Sequence, residues 1–452
     1  MRILKISYGM GRAAFGTFSL TSGALSLASA ALSLVSGTLS LALVTGVGLA
    51  LAPIDSQAQN NKAKPKAAAP ITASAAASSS SPATSSQINL PGAPSISLAA
   101  RSWLLVDVTS GQTLAAYEPD LKVEPASLTK LMTAYLTFAA IKEKKLTLDA
   151  RPAVTPMAYK AEGSRMFVDP AKPATVEELL QGMIIQSGND ASIILAEAVA
   201  GSEGSFAELM NKEAARLGMK NTQYRNSTGL PNAQHYGTAN DLAILARRLI
   251  TDHPTFYALY SNKEYTYNNI KQPNRNRLLF IDPSVDGLKT GHTDAAGYCL
   301  IASSKREQPN GGQSRRLLTV VLGAASESSR AIESQKLLNY GFQNFDAVKL
   351  YGKGQAVGTY EVWKGKAAEL KAGFDQDVMI TVAKGQSDKV KADIERLQPL
   401  IAPIAAGQKI GTLRVKLDDK VLLERPLLAQ NAIEEAGIFG RLYDSVRLML
   451  KR

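Results

Sequence analysis

Three short segments of this chain carry residue types that together perform acyl transfer. Ser127-Leu128-Thr129-Lys130 sets a hydroxyl and an amine three positions apart. On a helix those positions share a face, so the Lys130 amine reaches the Ser127 hydroxyl. A serine hydroxyl is a poor nucleophile until a base takes its proton. Lysine can be that base only where burial or a second cation lowers its pKa. A helix N-terminus at Ser127 adds backbone N–H groups and a positive dipole beside the attacking oxygen.

Ser187-Gly188-Asn189 follows the apolar run Met183-Ile184-Ile185. One reading is a helix-breaking turn that caps a helix from Asp190. The other places the Ser187 hydroxyl between two lysines as a proton relay, with the Asn189 amide bonding Lys130 and a substrate carbonyl. Lys289-Thr290-Gly291-His292 likewise has two readings. It is either a turn between strands, or an edge strand whose Gly291 permits close backbone approach. In the second case a peptide binds by adding a strand. Lys289 is then the second cation and Thr290 offers a hydroxyl to a terminal carboxylate. The His292 N–H joins that of Ser127 in an oxyanion hole. Each fragment alone is common, but the three in this order form a specific signature.

The elements that must position these groups are legible in outline. Ser102–Val108 reads as a strand, Thr109–Gln112 as a turn and Thr113–Tyr117 as its hairpin partner. Helical patterns follow at 127–143, 176–200 and 241–250, the last with apolar spacing near 3.6 and Asp241 at its start. Strand-like runs return at 278–281, 297–304 and 316–323, before a helix at 327–342. Strands, helices and strands again indicate an α+β domain, an antiparallel sheet flanked by helices, over residues 97–348. Residues 378–382, 412–417 and 420–424 then alternate with period two, and Asp418-Asp419 turns the last pair. That is a small all-β domain at 349–430. In the final segment, 431–452, Phe439, Leu442, Val446, Met449 and Leu450 share one helical face. Such a terminal amphipathic helix either docks on the β-domain or lies in a membrane interface.

The chain has 452 residues, 45% hydrophobic and 20% charged, with 51 Lys and Arg against 39 Asp and Glu. At ~100–200 residues per domain, two or three domains are expected. The single cysteine, Cys299, excludes an intrachain disulfide and a Cys-based zinc site. With three histidines, no metal centre and no cofactor are expected. The net charge of +12 suits an anionic surface or polymer, and no basic patch interleaved with aromatics points to nucleic acid. Arg2, Lys5 and Arg12 precede an uncharged, largely apolar stretch that ends at Asp55, and Ser56-Gln57-Ala58 offers a small-x-small cleavage site. Residues 1–58 therefore read as an export signal, with an uncleaved anchor as the alternative. Residues 59–96, mostly Ala, Ser, Thr and Pro, read as a disordered tether.

Taken together, the chain resembles the low-molecular-mass D-alanyl-D-alanine carboxypeptidases of the type-5 penicillin-binding protein class, peptidase family S11. The resemblance rests on Pro125–Thr133, Gln186–Ala191, Asn226–Pro231 with His235, Asn274-Arg275-Asn276 and Asp286–Thr293. It spans roughly residues 89–452, although the middle motif is Ser-Gly-Asn where the family pattern has Ser-Asp-Asn. It implies a β-lactamase/transpeptidase-like fold and a serine peptidase acting on peptidoglycan stems that end in D-Ala-D-Ala. It further implies acylation of Ser127 by β-lactam antibiotics, and a periplasmic enzyme attached peripherally to the inner membrane by its terminal helix. Arg275 then supports the carboxylate site beside Thr290, unless it is a surface arginine paired with Asp282 or Asp286. His235 is expected to be structural and Cys299 a buried strand residue. A class A β-lactamase would carry a Glu-x-x-Leu-Asn segment after the second motif, which is absent. A cross-link endopeptidase or a catalytically slow wall-binding scaffold of the same fold remains compatible with these motifs.

Overall fold

The computed structural model describes residues 86–308 and 312–450, so the export signal and the tether up to residue 85 lie outside the described residues. The larger, N-terminal unit of the described residues, the catalytic unit expected from the sequence, is built on one antiparallel sheet of six strands. These are β1 (Gln87–Asn89), β2 (Ser102–Asp107), β3 (Thr113–Tyr117), β6 (Val285–Thr293), β7 (Gly297–Gln308) and β8 (Gly312–Ala324), in the spatial order β1-β3-β2-β8-β7-β6. A separate hairpin pairs β4 (Glu264–Tyr267) with β5 (Ile270–Pro273). All six residues of β2 are buried. Successive side chains of a strand point to opposite faces. Leu104 and Val106 accordingly join the core formed with the main helices, while Trp103 and Leu105 pack with Leu337 and Leu338 of the helix behind the sheet. A strand covered on both faces reads as a continuous apolar run, as the sequence does here.

The helices are α1 (Lys130–Lys142), α2 (Pro156–Tyr159), α3 (Val176–Gln181), α4 (Asn189–Ala200), α5 (Glu203–Leu217), α6 (Ala239–Asp252), α7 (Pro254–Tyr257), α8 (Leu278–Ile281) and α9 (Glu327–Asn344). Three segments differ from the sequence reading. The helix expected over 176–200 is two: α3 passes into a wide turn at Gly182–Gln186, and Ser187, in the left-handed region at φ 67°, breaks the path before α4. The strand expected at 278–281 is α8, one helical turn whose first N–H, that of Leu278, donates to Asn276 Oδ1. A four-residue apolar run carries too little periodicity to separate the two forms. The tether assigned to 59–96 overruns the fold, because β1 pairs with β3 and Ile96 is buried.

The β-rich unit holds a sheet in the order β10-β11-β15-β14-β13, formed by β10 (Ala356–Glu361), β11 (Glu369–Gly373), β13 (Val390–Arg396), β14 (Lys409–Leu417) and β15 (Lys420–Ala429). Beside it β9 (Phe345–Tyr351) pairs with β12 (Val378–Ala383). β9 begins before residue 349, and Ile433, buried and bridged to Ile404, lies beyond residue 430, so this unit is longer at both ends than the alternating pattern indicated. It is tied to the catalytic unit through Thr381, whose hydroxyl donates to Asp107 (2.8 Å) beside the buried Asp107–Arg315 pair (2.7 Å).

The terminal helix α10 (Ile438–Leu450) meets the β-rich unit by its polar side. Asp444 accepts from the Lys364 N–H (2.6 Å), and the Arg447 guanidinium lies 5.2 Å from the centre of the Trp363 ring. Phe439, Leu442, Val446, Met449 and Leu450 all remain exposed. Among the described residues no helix is long and apolar enough to cross a membrane.

Candidate active site

Ser127 lies on a 3-10 turn, Ala126–Thr129, that leads directly into α1. Ala126 takes φ 49°, a left-handed value that costs ~1–2 kcal/mol in a non-glycine residue. Such strain persists only where surroundings over-determine it, and it clusters at functional sites. Here the surroundings are close-packed. At Gly229, φ 82°, any Cβ would fall 1.8 Å from the Ala126 carbonyl oxygen. At Gly291 a Cβ would sit 3.2 Å from Leu128 and from the Pro125 carbonyl. Gly291 thus lets β6 pack closely against the serine turn.

The Lys130 amine is buried, and its hydrogen bonds fix its chemistry. It donates to Ser127 Oγ (3.0 Å), Asn189 Oδ1 (2.7 Å) and the Thr228 carbonyl (2.6 Å). A charged lysine has three N–H groups for these three acceptors. A neutral amine has two N–H groups and one lone pair. Two of the neighbours are carbonyl oxygens and can only accept. The lone pair of the neutral amine therefore falls to the Ser127 hydroxyl, the one neighbour with a proton to give. Burial, and secondarily the Arg275 cation, lower the Lys130 pKa to about 7, so both forms are accessible near neutrality.

Lys289 on β6 is also buried and donates to the Thr290 carbonyl (3.1 Å). Burial, then Lys130, then Arg275 hold its pKa well below the usual lysine range. The sequence reading made Lys289 the cation that depresses Lys130. In the structure Arg275 is the leading cation and Lys289 is itself depressed. The expected Ser187 relay is not formed either. Among the described residues Ser187 Oγ is buried without a hydrogen-bond partner, and neither lysine donates to it. Asn189 bonds Lys130 as expected, and one of the two N–H groups of its amide donates to the Glu162 carbonyl (2.6 Å).

Arg275 donates to Ser164 Oγ (2.7 Å). The two carboxylates expected as partners are taken, Asp282 by Arg306 and Asp286 by Arg316, and Glu327, whose charge reaches Arg275, pairs with Arg277 and Arg330. Thr290 is buried beside Lys289, while His292 is exposed with its ring 4.1 Å from that of Tyr298. Both lie on β6, an edge strand of the sheet. His235 is a buried structural group: its Nδ1 accepts from the Arg225 N–H (3.4 Å), so Nε2 carries the proton to Thr129 Oγ1 (2.9 Å). Burial lowers its pKa to about 4. Cys299 is buried opposite Gly291 in the β6–β7 register.

Four contributors escaped sequence reasoning. Thr228 supplies a main-chain carbonyl, and Glu203 holds its loop by accepting from the Ser227 N–H (2.9 Å) and hydroxyl (2.6 Å). Asp190 accepts from the N–H groups of Met166, Phe167 and Val168. Ser164 offers its hydroxyl to Arg275 and its carbonyl to the Asn189 N–H (2.7 Å). Positive φ at Gly229, coded by the glycine, was the one available signal.

Comparison with known proteins agrees with this geometry. Residues 87–326 match the family model described as D-alanyl-D-alanine carboxypeptidase, Peptidase S11, and residues 345–435 match that of the penicillin-binding protein 5 C-terminal domain. The chain is 41% identical over 364 residues to the D-alanyl-D-alanine carboxypeptidase DacC of Escherichia coli (strain K12), covering 79% of this chain and 89% of that one. It is similar to the crystal structure of penicillin binding protein 5 from Haemophilus influenzae, with a TM-score of 0.71, 38% identity, and coverage of 76% of this chain and all of that one. It is also similar to penicillin-binding protein D2 from Listeria monocytogenes in its ampicillin-bound form, with a TM-score of 0.50, 30% identity, and coverage of 55% and 100%.

Proposed function

The chain belongs to the D-alanyl-D-alanine carboxypeptidase family of serine peptidases, and from that premise we propose how its own residues carry the reaction. The enzyme removes the terminal D-alanine from peptidoglycan stems that end in D-Ala-D-Ala. Neutral Lys130 takes the proton of Ser127 as Oγ bonds to the carbonyl between the two D-alanines. The N–H groups of Ser127 and His292 receive the developing oxyanion. The C–N bond then breaks, the proton passes to the departing nitrogen, and free D-alanine leaves. Water adds to the ester carbonyl, gives up a proton through the same amine, and releases the shortened stem and Ser127. Thr290, Lys289 and Arg275 meet the terminal carboxylate, and Ser187 and Asn189 complete the polar wall. Penicillins place a strained amide in the same position and acylate Ser127.

The observation that carries this reading is the Lys130 amine, 3.0 Å from Ser127 Oγ with its other two contacts both carbonyl acceptors. Mass spectrometry of the purified enzyme with a pentapeptide ending in D-Ala-D-Ala tests it. Loss of one alanine residue is expected, and an unchanged peptide would overturn the assignment.

The leader and the tail give the cellular setting. Export to the periplasm, with cleavage after Ala58, is supported by the basic start and apolar stretch of residues 1–58. Peripheral attachment to the inner membrane is supported by the exposed apolar face of α10. Removal of residues 438–452, which spares the buried Ile433, is expected to free the protein from membranes and to leave peptide cleavage intact.

A further inference from the structure

The loop at 162–168 borders the site and carries two side chains that the reaction does not use. It is anchored tightly at its polar and buried positions. The Glu162 and Ser164 carbonyls accept from Asn189, Ser164 Oγ accepts from Arg275, and Met166 is fully buried. The Asp190 carboxylate accepts from three successive N–H groups of the loop: Met166 (3.0 Å), Phe167 (2.8 Å) and Val168 (3.2 Å). Those bonds hold Phe167 at φ 66°, where a bulky residue is an outlier. Despite that strain the Phe167 ring packs in no core and stays 50% exposed. The Arg165 guanidinium lies 5.0 Å from the centre of that ring and donates to the Tyr159 carbonyl (3.4 Å). Among the described residues Arg165 has no carboxylate partner. A cation propped on an exposed aromatic face is oriented without being neutralised.

A D-alanine side chain is one methyl group and needs neither a cation nor an aromatic surface. What remains of the substrate is the stem on the amino side of the cleaved bond. We propose that Arg165, propped by Phe167, is a specificity-determining group that pairs with a carboxylate carried by the stem's third residue. This rests on the carboxypeptidase reading, since it concerns a substrate of the same site. Arg165 acts here as a half-exposed partner, so discrimination of about three- to five-fold is expected, the size of a surface ion pair.

The test uses two synthetic pentapeptides ending in D-Ala-D-Ala that differ only at the third residue. One carries diaminopimelate, with a side-chain carboxylate, and the other lysine. The wild type is expected to favour the diaminopimelate peptide about three- to five-fold in kcat/KM, and less so as sodium chloride is raised. Arg165→Gln should bring the ratio to about one, and Arg165→Glu should invert it toward lysine, which loss of loop structure alone would not do. An unchanged ratio in both variants, or no preference in the wild type, overturns the proposal. Binding of the same two peptides to the Ser127→Ala protein gives the ratio without turnover. The proposal therefore stands or falls even if the wild type releases no D-alanine, the separate outcome that would defeat the carboxypeptidase reading.

Discussion

The Lys130 site and helix α10 break the burial rule in opposite directions. At the site a lysine amine is removed from water and given three hydrogen-bond partners. On α10 five large apolar side chains are left in water while Asp444 and Arg447 face the β-rich unit. Lysine is almost never fully buried unless paired, and a contiguous exposed apolar face marks an interaction surface. Each departure costs stability in the isolated chain, and each is where this protein meets something else. The site exchanges solvation of a cation for a base poised near neutrality. The helix exchanges core packing for a face that only another apolar phase can cover.

That contrast can be broken by mutation, starting where the effect is largest. Ser127→Ala is expected to abolish both D-alanine release and labelling by a fluorescent penicillin, read on a denaturing gel. Retained labelling would move the nucleophile elsewhere. Lys130→Ala should slow acylation by about 10³-fold, the usual range for removal of a general base, in stopped-flow measurements with benzylpenicillin. A loss below tenfold would point to another base.

The next effect lies in stability. His235 has a folded-state pKa of about 4 against 6.5 for the free side chain, so the unfolded chain binds the extra proton between those values. Stability from this group is present above pH 6.5 and is lost as pH falls toward 4, by about 3 kcal/mol at most. Denaturant titrations at pH 7 and pH 4.5 measure it, and His235→Gln should flatten that part of the pH dependence. The smallest effect on the fold is expected on α10. Serine at Phe439, Leu442 and Met449 together should change unfolding free energy by no more than about 0.5 kcal/mol, as for exposed positions generally. The same triple variant should lose sedimentation with anionic lipid vesicles. Marked destabilisation would mean that the apolar face packs against the protein after all.

Much of the site was legible because its side chains have distinctive chemistry. Ser127, Lys130, Asn189 and Lys289 are residue types that suggest roles before any fold is known, whereas Arg275 came forward only through the family resemblance. What stayed hidden works through the backbone. Any residue at 228 offers a carbonyl, so nothing in the side chain of Thr228 reveals that it holds the Lys130 amine. Glu203 and Asp190 were visible as carboxylates, but their partners, the N–H groups of Ser227 and of Met166–Val168, are set by loop paths that spacing does not encode. In the fold, long patterns such as 241–250 and 412–424 read correctly because period and length agree. The run at 278–281 failed because four apolar residues fit a strand or a single helical turn equally. The break at Ser187 was one of the two readings of Ser187-Gly188-Asn189 and is the one the backbone takes, although its left-handed serine is not marked by composition.

The central claim is that a neutral Lys130 removes the Ser127 proton. The most direct measurement is the second-order rate of Ser127 acylation by benzylpenicillin from pH 5 to pH 9. Because only the deprotonated amine accepts a proton, the rate should rise with pH and level off, with a midpoint near the lowered Lys130 pKa of about 7. A flat profile, or a rate that continues to climb toward the ordinary lysine range without levelling, would contradict it.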